Sequence, residues 1–367
     1  MAGSVSLLWG DAFMAYRLSE NHPLQPLRVK LTVELIRQLG LDSFAGTVEP
    51  RRATDEELAL CHQRGYIDLV KRLSDDPRSA DRRALAAGFD NHDNPIAAGM
   101  HEACATIVGA SIQAAEAVTT GAALHAFNPA GGLHHAARER ASGFCVYNDV
   151  AIAVAWLRQR GHRVAYVDVD VHHGDGTQAL FYSDPEVLTI SLHESGRYLF
   201  PGTGFPDETG YGAARGTSAN LPLAPYAWDE PWLAAFDAVV PPLLREFRPT
   251  VLVTQDGCDT HALDPLAHLL GSTAIWPHVG RRFHELAHEL CAGRWVATGG
   301  GGYAIREVVP RAWTLLFAEM VEQPQLAAAL VDTEQYAPEQ TAQERVWALL
   351  DRDLGSLARE LGRPLRL

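Results

Sequence analysis

Apolar runs alternate with amphipathic segments along the chain, a pattern that predicts strands interleaved with helices. Continuous apolar runs are typical of parallel strands covered on both faces, and they occupy residues 5–9, 163–169, 187–192, 250–254 and 295–298. Segments with helical spacing lie near residues 26–39, 55–62, 96–118, 149–160, 230–247, 277–290 and 305–321. The alternation favours an α/β fold with a mostly parallel sheet, in which ligands collect beyond the carboxyl ends of the strands.

One predicted strand is unusual because ionisable residues interrupt its apolar run. Asp168, Asp170 and His172 alternate with valines, so an extended backbone would place all three on one face. Burying unpaired ionisable groups is costly, and a divalent cation would compensate them. Carboxylate and imidazole ligands suit zinc or a similar transition ion. Asp259, in a glycine-rich turn after another predicted strand, is the leading candidate for the third ligand.

Other residues have the chemistry that a hydrolytic metal site requires. The adjacent His134 and His135 lie in a glycine-flanked turn and are candidates for general base and general acid. Asp168 and Asp175 could fix their tautomers. Tyr303, which follows four glycines, could donate a hydrogen bond to a developing oxyanion. Together these parts predict metal-assisted hydrolysis of an amide or an ester.

Each of these motifs alone also has a purely structural interpretation. A histidine pair is commonly a surface or helix-capping feature. The glycine run at residues 299–302 lacks the spacing and the lysine of phosphate-binding loops, so it indicates close backbone approach instead. His173 is expected to be a hydrogen-bonded structural histidine. Cys145 and Cys258 are expected to be small buried residues rather than nucleophiles.

Composition narrows the class of protein. The 367 residues include 31 Lys and Arg against 45 Asp and Glu, a formal charge of −14 that argues against nucleic-acid binding. The five cysteines are scattered without a C-x-x-C pair, which favours a reducing, cytoplasmic location. No targeting segment or membrane span is expected, since the apolar stretch at residues 97–118 carries polar and charged groups. We predict a single domain over residues 1–367, with a helical tail at about 341–367 packed on it or on a partner.

Four segments carry this chemistry, and in this order they resemble the zinc-dependent histone deacetylase superfamily, in particular its bacterial acetoin-utilization group. They are residues 131–145, 168–176, 255–259 and 299–303, with further similarity at residues 21–30, 93–102 and 191–204. The resemblance implies the arginase/deacetylase fold, a three-layer α/β/α arrangement around a mostly parallel eight-stranded sheet. It also implies one metal centre at the end of a narrow substrate tunnel.

The resemblance assigns roles to the candidate residues. It implies that the metal ligands are Asp170, His172 and Asp259. It implies that the catalytic residues are His134, His135, Asp168, Asp175 and Tyr303, with His135 as the general base. Substrate contacts are implied for Gly143, Phe144 and Phe200 in the tunnel wall and for Asp93 at its rim.

Two further sites follow from the resemblance. A structural K⁺ would be bound near the metal. Its ligands would be backbone oxygens and two side chains, contributed by Asp168, Asp170, His172, Ser191 and Leu192. Arg28 matches an arginine of an inner cavity that releases acetate, with a structural salt bridge as the alternative. Asp256 is an additional acid near Asp259, and it is expected either to hold a neighbouring cation or to be exposed.

The resemblance implies a Zn²⁺ enzyme, with Fe²⁺ as the alternative ion, that removes acetyl groups from N-ε-acetyl-lysine through activated water and releases acetate. The expected partner is an acetylated protein or peptide. Two alternatives stay open at this point. One is an amidohydrolase of acetylpolyamines or small acyl amides, and the other is a non-catalytic protein that binds acyl-lysine. A two-metal ureohydrolase is disfavoured because a second aspartate cluster is missing. The sequence leaves the oligomeric state, the physiological substrate and the acyl-chain preference undetermined.

Overall fold

A single parallel sheet organises the protein, whose computed structural model describes residues 5–367. Its eight strands lie in the order β2-β1-β3-β8-β7-β4-β5-β6, and every paired neighbour is parallel. The strands are β1 Val5–Leu8, β2 Ala45–Val48, β3 His125–Asn128, β4 Val164–Asp168, β5 Val187–Glu194, β6 Ser218–Leu223, β7 Val251–Gln255 and β8 Trp295–Thr298. The α/β prediction with an eight-stranded parallel sheet is confirmed.

Helices cover both faces of this sheet, because parallel strands need crossover connections. They are α1 Leu27–Gln38, α2 Asp55–Leu58, α3 Arg64–Asp75, α4 Arg82–Ala86, α5 Met100–Thr120, α6 Asp149–Gln159, α7 Asp175–Phe181, α8 Asp229–Phe247, α9 Ile275–Cys291, α10 Val309–Met320, α11 Pro324–Ala327 and α12 Gln340–Leu361. Strand β4 contacts both α6 and α8 and is buried along its whole length. Among the described residues, no helix combines the length and the apolar character that crossing a bilayer requires.

Three strands were missed in the sequence because they lack a continuous apolar run. Strand β2 lies at the sheet edge and is half-exposed. Strand β3 begins with His125 and ends with Asn128, and β6 contains Ser218 and Asn220. The helix expected over residues 55–62 is only Asp55–Leu58, closed at its start by a reciprocal capping box between Thr54 and Glu57.

The strand expected to carry three ionisable groups ends earlier than its pattern indicates. Strand β4 ends at Asp168, and Asp170 and His172 lie in the following loop. The prediction that all three alternate along one strand was therefore wrong. Past Asp168 the chain keeps two separate backbone bonds to its neighbours, from the Val169 N–H to the Gln255 oxygen at 3.0 Å and from the Glu194 N–H to the Val171 oxygen at 2.8 Å. The regular ladder ends at Asp168, and Asp170 and His172 in the following loop lie close to Asp259.

The C-terminal helix packs on the body of the protein. Helix α12 contacts β6 and α8. One face buries four residues at intervals of three and four, the spacing of a single helical stripe: Val346, Leu350, Leu354 and Leu357. Trp347 adds an edge-to-face contact with Trp228, with ring centroids 6.2 Å apart.

We expect Leu357→Ala to lower the free energy of unfolding by about 2–5 kcal/mol, since it removes a fully buried side chain and leaves a cavity. Chemical denaturation measures this loss. Glu360→Ala, on the exposed side of the same helix, is the matched control and should change stability by less than about 0.5 kcal/mol. Equal stability of the two variants would show that α12 does not stabilise the fold through this stripe.

Candidate active site

The predicted metal ligands and Tyr303 converge beyond the carboxyl ends of three neighbouring strands. Asp170 and His172 follow β4, Asp259 follows β7, and Tyr303 follows β8. These strands are adjacent in the order β8-β7-β4. Residues separated by more than 130 positions in the chain therefore meet at one edge of the sheet.

The three candidate ligands form a compact buried cluster. The Nδ1 atom of His172 lies 3.1 Å from Asp170 Oδ1 and 3.1 Å from Asp259 Oδ2. One ligand atom from each residue lies within 4.8 Å of the others. Burial opposes ionisation of Asp170, but His134 and His172 hold its pKa well below the usual range. Burial and the charge of Asp170 raise the pKa of Asp259 to about 6.

One side-chain amide and two backbone N–H groups hold the two carboxylates in place. Gln255 Nε2 and the Gly301 N–H donate to Asp170 Oδ2 at 2.7 and 2.6 Å, and the Val171 N–H donates to Asp259 Oδ1 at 3.0 Å. A Cβ at Gly301 would lie 1.9 Å from Asp259 Oδ2. The interpretation of the glycine run as a device for close backbone approach is confirmed at this position. Gln255 was not singled out in the sequence, because a glutamine that ends a strand has no distinctive pattern.

The two histidines face each other, and each is oriented by a carboxylate. His134 Nδ1 lies 2.7 Å from Asp168 Oδ2, and His135 Nδ1 lies 2.7 Å from Asp175 Oδ1. Their Nε2 atoms are 3.0 Å apart. Burial opposes protonation of His134, but Asp168 and Asp170 outweigh it and raise its pKa to about 9. Burial and the neighbouring His134 lower the pKa of His135 to about 4. These opposite shifts favour the charged form of His134 and the neutral form of His135.

The turn that carries these histidines is fixed by the start of α6. Asp149 Oδ1 accepts the N–H groups of Gly132 and Leu133 at 3.1 and 2.8 Å. Asn148 Nδ2 donates to the backbone oxygen of His134 at 3.0 Å. In the sequence, Asn148 and Asp149 indicated only a helix start. Their full burial is the property that distinguishes them from ordinary capping residues.

Tyr303 is anchored through its backbone to a carboxylate that sequence reasoning missed. Its N–H donates to Asp264 Oδ2 at 2.7 Å. Burial and the charge of Asp259 raise the pKa of Tyr303 well above its usual value. The hydroxyl therefore keeps its proton at neutral pH and is a hydrogen-bond donor. Asp264 lies five positions after Asp259 in a loop, where the sequence offers no periodicity to single it out.

A narrow pocket of about 210 Å³ leads to this cluster. Phe144 meets the Tyr303 ring edge to face, with centroids 5.7 Å apart, and Phe200 meets the His135 ring at 5.0 Å. Phe200 is 43% exposed and marks the mouth. The lining residues are Asp93, His135, Gly143, Phe144, His172, Leu199, Phe200, Leu266 and Tyr303.

Arg28 lies behind the site. Its Nη1 donates to the Gly302 oxygen at 3.1 Å, and its guanidinium lies 5.2 Å from the Trp313 ring centroid. Within residues 5–367 no carboxylate forms an ion pair with Arg28, so the salt-bridge alternative was wrong.

Asp256 is buried, so the alternative of an exposed acid was also wrong. Its Oδ2 accepts the Thr254 hydroxyl at 2.7 Å, while its Oδ1 has no partner. Burial raises the pKa of this carboxyl well above the ordinary value.

Three of the predicted potassium ligands, Asp168, Ser191 and Leu192, lie on the neighbouring strands β4 and β5, and Asp170 and His172 lie in the loop after β4. Asp168 on β4 pairs in register with Ser191 on β5, which Leu192 follows. The Ser191 hydroxyl lies 2.8 Å from His193 Nδ1. Proximity alone does not distinguish a cation site from an ordinary hydrogen-bonded cluster, so the potassium site stays a prediction.

His173 and the cysteines have the structural character expected of them. His173 is hydrogen-bonded at both ring nitrogens, to Thr203 and Gln178 at 2.8 and 3.1 Å. All five cysteines are free and buried. Burial raises the pKa of both Cys145 and Cys258, which suppresses the nucleophilic thiolate form.

The comparisons with known proteins agree with this architecture. Residues 22–320 match the family described as the histone deacetylase domain. The chain therefore belongs to the histone deacetylase family. A crystal structure of a histone deacetylase homologue from Aquifex aeolicus superimposes with a TM-score of 0.83 at 29% identity, covering 95% of this chain and 99% of that chain.

Within the family, the chain is similar to the acetoin utilization proteins AcuC. It is 43% identical over 314 residues to AcuC of Bacillus subtilis, covering 85% of this chain and 81% of that protein. It is 40% identical over 318 residues to AcuC of Staphylococcus aureus strain MRSA252, covering 86% and 82% respectively. The sequence-based assignment to a deacetylase of the acetoin-utilization group is confirmed.

We expect Gly143→Ala to lower deacetylase activity at least tenfold. The backbone there is left-handed (φ +49°), and an added Cβ would lie 2.4 Å from His135 Cδ2. Gly161→Ala is the matched control, since Gly161 is also left-handed (φ +80°) but has no atom within 4 Å of an added Cβ. Both variants should lose about 1 kcal/mol of stability through backbone strain. Equal activity of the two variants in an acetyl-amide hydrolysis assay would show that Gly143 does not position His135.

Proposed function

We propose that the protein removes acetyl groups from N-ε-acetyl-lysine in proteins or peptides by zinc-dependent hydrolysis, releasing lysine and acetate. The observation that carries this proposal is the convergence of three groups at the end of one narrow pocket. They are a buried aspartate–histidine–aspartate cluster, a carboxylate-oriented histidine pair and a tyrosine that keeps its proton.

The donor set fits a catalytic zinc ion. Two carboxylates and one imidazole, from Asp170, Asp259 and His172, give three protein ligands, the number that leaves a position open for water or substrate. The His172 Nδ1 atom faces both carboxylates, so its lone pair is directed to their common point. An ion held there supplies a Lewis acid that lowers the pKa of water and polarises a carbonyl. Fe²⁺ is the alternative occupant of the same donor set.

Proton transfer falls to the histidine pair. His135 has Nδ1 fixed against Asp175, so Nε2 is the nitrogen left to accept a proton, and it lies 3.0 Å from His134 Nε2. Because His135 is neutral at neutral pH, we assign it as the base that accepts a proton from the attacking water. His134, held by Asp168, is charged and can return a proton to the leaving amine. Tyr303 donates its hydroxyl hydrogen to the substrate carbonyl oxygen as negative charge develops there.

The pocket wall supports an acylated lysine as the substrate. Phe144 and Phe200 line the pocket with aromatic surface, which a substrate side chain would contact between the mouth and the buried cluster. An uncharged acetyl-lysine stem loses little solvation there, whereas a free ammonium would lose much more. Asp93 at the rim is exposed and can accept a backbone N–H from a peptide, a contact that a small acyl amide cannot make.

Metal removal tests the function directly. We expect chelator-stripped protein to release no acetate from an acetyl-lysine peptide, and stoichiometric Zn²⁺ or Fe²⁺ to restore release. Each metal is supplied separately, and acetate is measured on the peptide and on an acetylpolyamine. Faster turnover of the acetylpolyamine would favour the small-amide alternative. Metal binding at Asp170, His172 and Asp259 without acetate release would favour a non-catalytic acyl-lysine-binding protein.

We expect Tyr303→Phe and His135→Ala each to lower kcat by about 100-fold or more, the usual effect of losing an oxyanion donor or a general base. Neither residue is a proposed ligand, so the metal content should not change. Tyr211→Phe, at a side chain that is 74% exposed, is the control and should keep full activity. Full activity in either site variant would contradict its assigned role.

A further inference from the structure

Three histidines form a cluster at the edge of the sheet opposite to the active site. His125 is the first residue of β3, and His284 and His288 lie one turn apart on α9. Residues four apart on a helix share one face, so both imidazoles can reach the same point. His125 pairs in register with Trp295, the first residue of β8. The cluster therefore lies at the amino ends of strands whose carboxyl ends lead to the active site.

The spacing of the ring nitrogens suits a single ion. One ring nitrogen from each histidine lies within 4.8 Å of the other two. The Nε2 atoms of His125 and His288 are 3.3 Å apart. Ligands at about 2.0–2.1 Å in a tetrahedral zinc site lie about 3.4 Å from one another, so this pair already has the required separation.

The cluster also has an unused donor atom and a nearby carboxylate. His284 Nε2 is buried without a hydrogen-bond partner, although it lies 3.6 Å from Glu322 Oε1. Burial together with the two neighbouring imidazoles lowers the pKa of His125 to about 3. A neutral imidazole is the form that binds a metal. His288 is exposed, which leaves an entry path for an ion from solvent.

We propose that His125, His284 and His288 form a second metal site for a divalent transition ion of the zinc, nickel and copper class, with three imidazole ligands and a fourth position for water. Imidazole nitrogen is the ligand type that these ions prefer. The bound ion would connect α9 to β3. Its role would be structural, because an ion that binds only the folded arrangement of these two elements stabilises that arrangement by mass action.

The competing explanation is a packed histidine cluster that binds no metal. His125 also meets the Trp295 ring edge to face, with centroids 5.7 Å apart, and a 3.3 Å contact between ring nitrogens can be a hydrogen bond. The two explanations differ in the number of ions that the folded protein binds.

A count of bound Co²⁺ after chelator stripping decides between them, with visible absorption and metal analysis as readouts. We expect two ions in the unmodified protein, one in His288→Gln, one in Asp259→Asn and none in the double variant. His278→Gln is the matched control, since His278 is on the same helix but is hydrogen-bonded to Asp237 outside the cluster. That variant should still bind two ions. Zn²⁺ should raise the Tm of Asp259→Asn but not that of the double variant.

Two outcomes would overturn the second site. One is a His288→Gln protein that still binds two ions, and the other is an Asp259→Asn protein that binds none while its circular dichroism spectrum is unchanged. Since His288 is exposed, its substitution should not prevent folding, and His284→Gln provides a second variant at the cluster. Failure of the proposed catalytic metal would appear separately, as an Asp259→Asn protein with the same ion count as the unmodified chain.

Discussion

The structure depends on negative charge that is buried at one edge of the sheet. Asp168, Asp170 and Asp259 are almost fully removed from solvent, and ligand atoms of Asp170 and Asp259 lie within 4.8 Å of each other. Isolated carboxylates in such a place would be strongly destabilising, so positive or hydrogen-donating groups must surround them. His134, His172 and the backbone N–H groups of the loops serve this purpose. The same arrangement would favour a cation at the site, and it separates the pKa values of the two histidines.

To stabilise these buried carboxylates, the backbone must lie closer to the site residues than a residue with a side chain would allow. Gly301 brings an N–H group to within 2.6 Å of Asp170, and Gly143 brings the chain against His135. Loops from the ends of β3, β4 and β8 can make these approaches because a rigid parallel sheet fixes their starting points. The sheet thus fixes the positions at which the loops begin, and the glycines allow the loops to approach the site residues closely.

The sequence predicted those parts of the fold and the site that leave a local pattern. Continuous apolar runs revealed β4 and β7, and unusual polar groups at their ends indicated the candidate ligands. Strands β3 and β6 escaped prediction because polar residues interrupt them. The apolar pattern of β4 continues past Asp168, where its regular pairing with β5 and β7 ends. Gln255, Asp149 and Asp264 could not be singled out, since their roles arise from contacts with residues distant in the chain.

The two edge strands of the sheet differ in how far they are accessible to other protein chains. Strand β6 is outermost on one side, yet all six of its residues are buried, and α12 contacts it. Strand β2 is outermost on the other side, spans four residues and is half-exposed. An uncovered outer strand is where a foreign strand can add by backbone pairing. Intermolecular sheet extension, including the kind that leads to aggregation, is therefore confined to the short β2 margin for as long as the C-terminal helix stays docked.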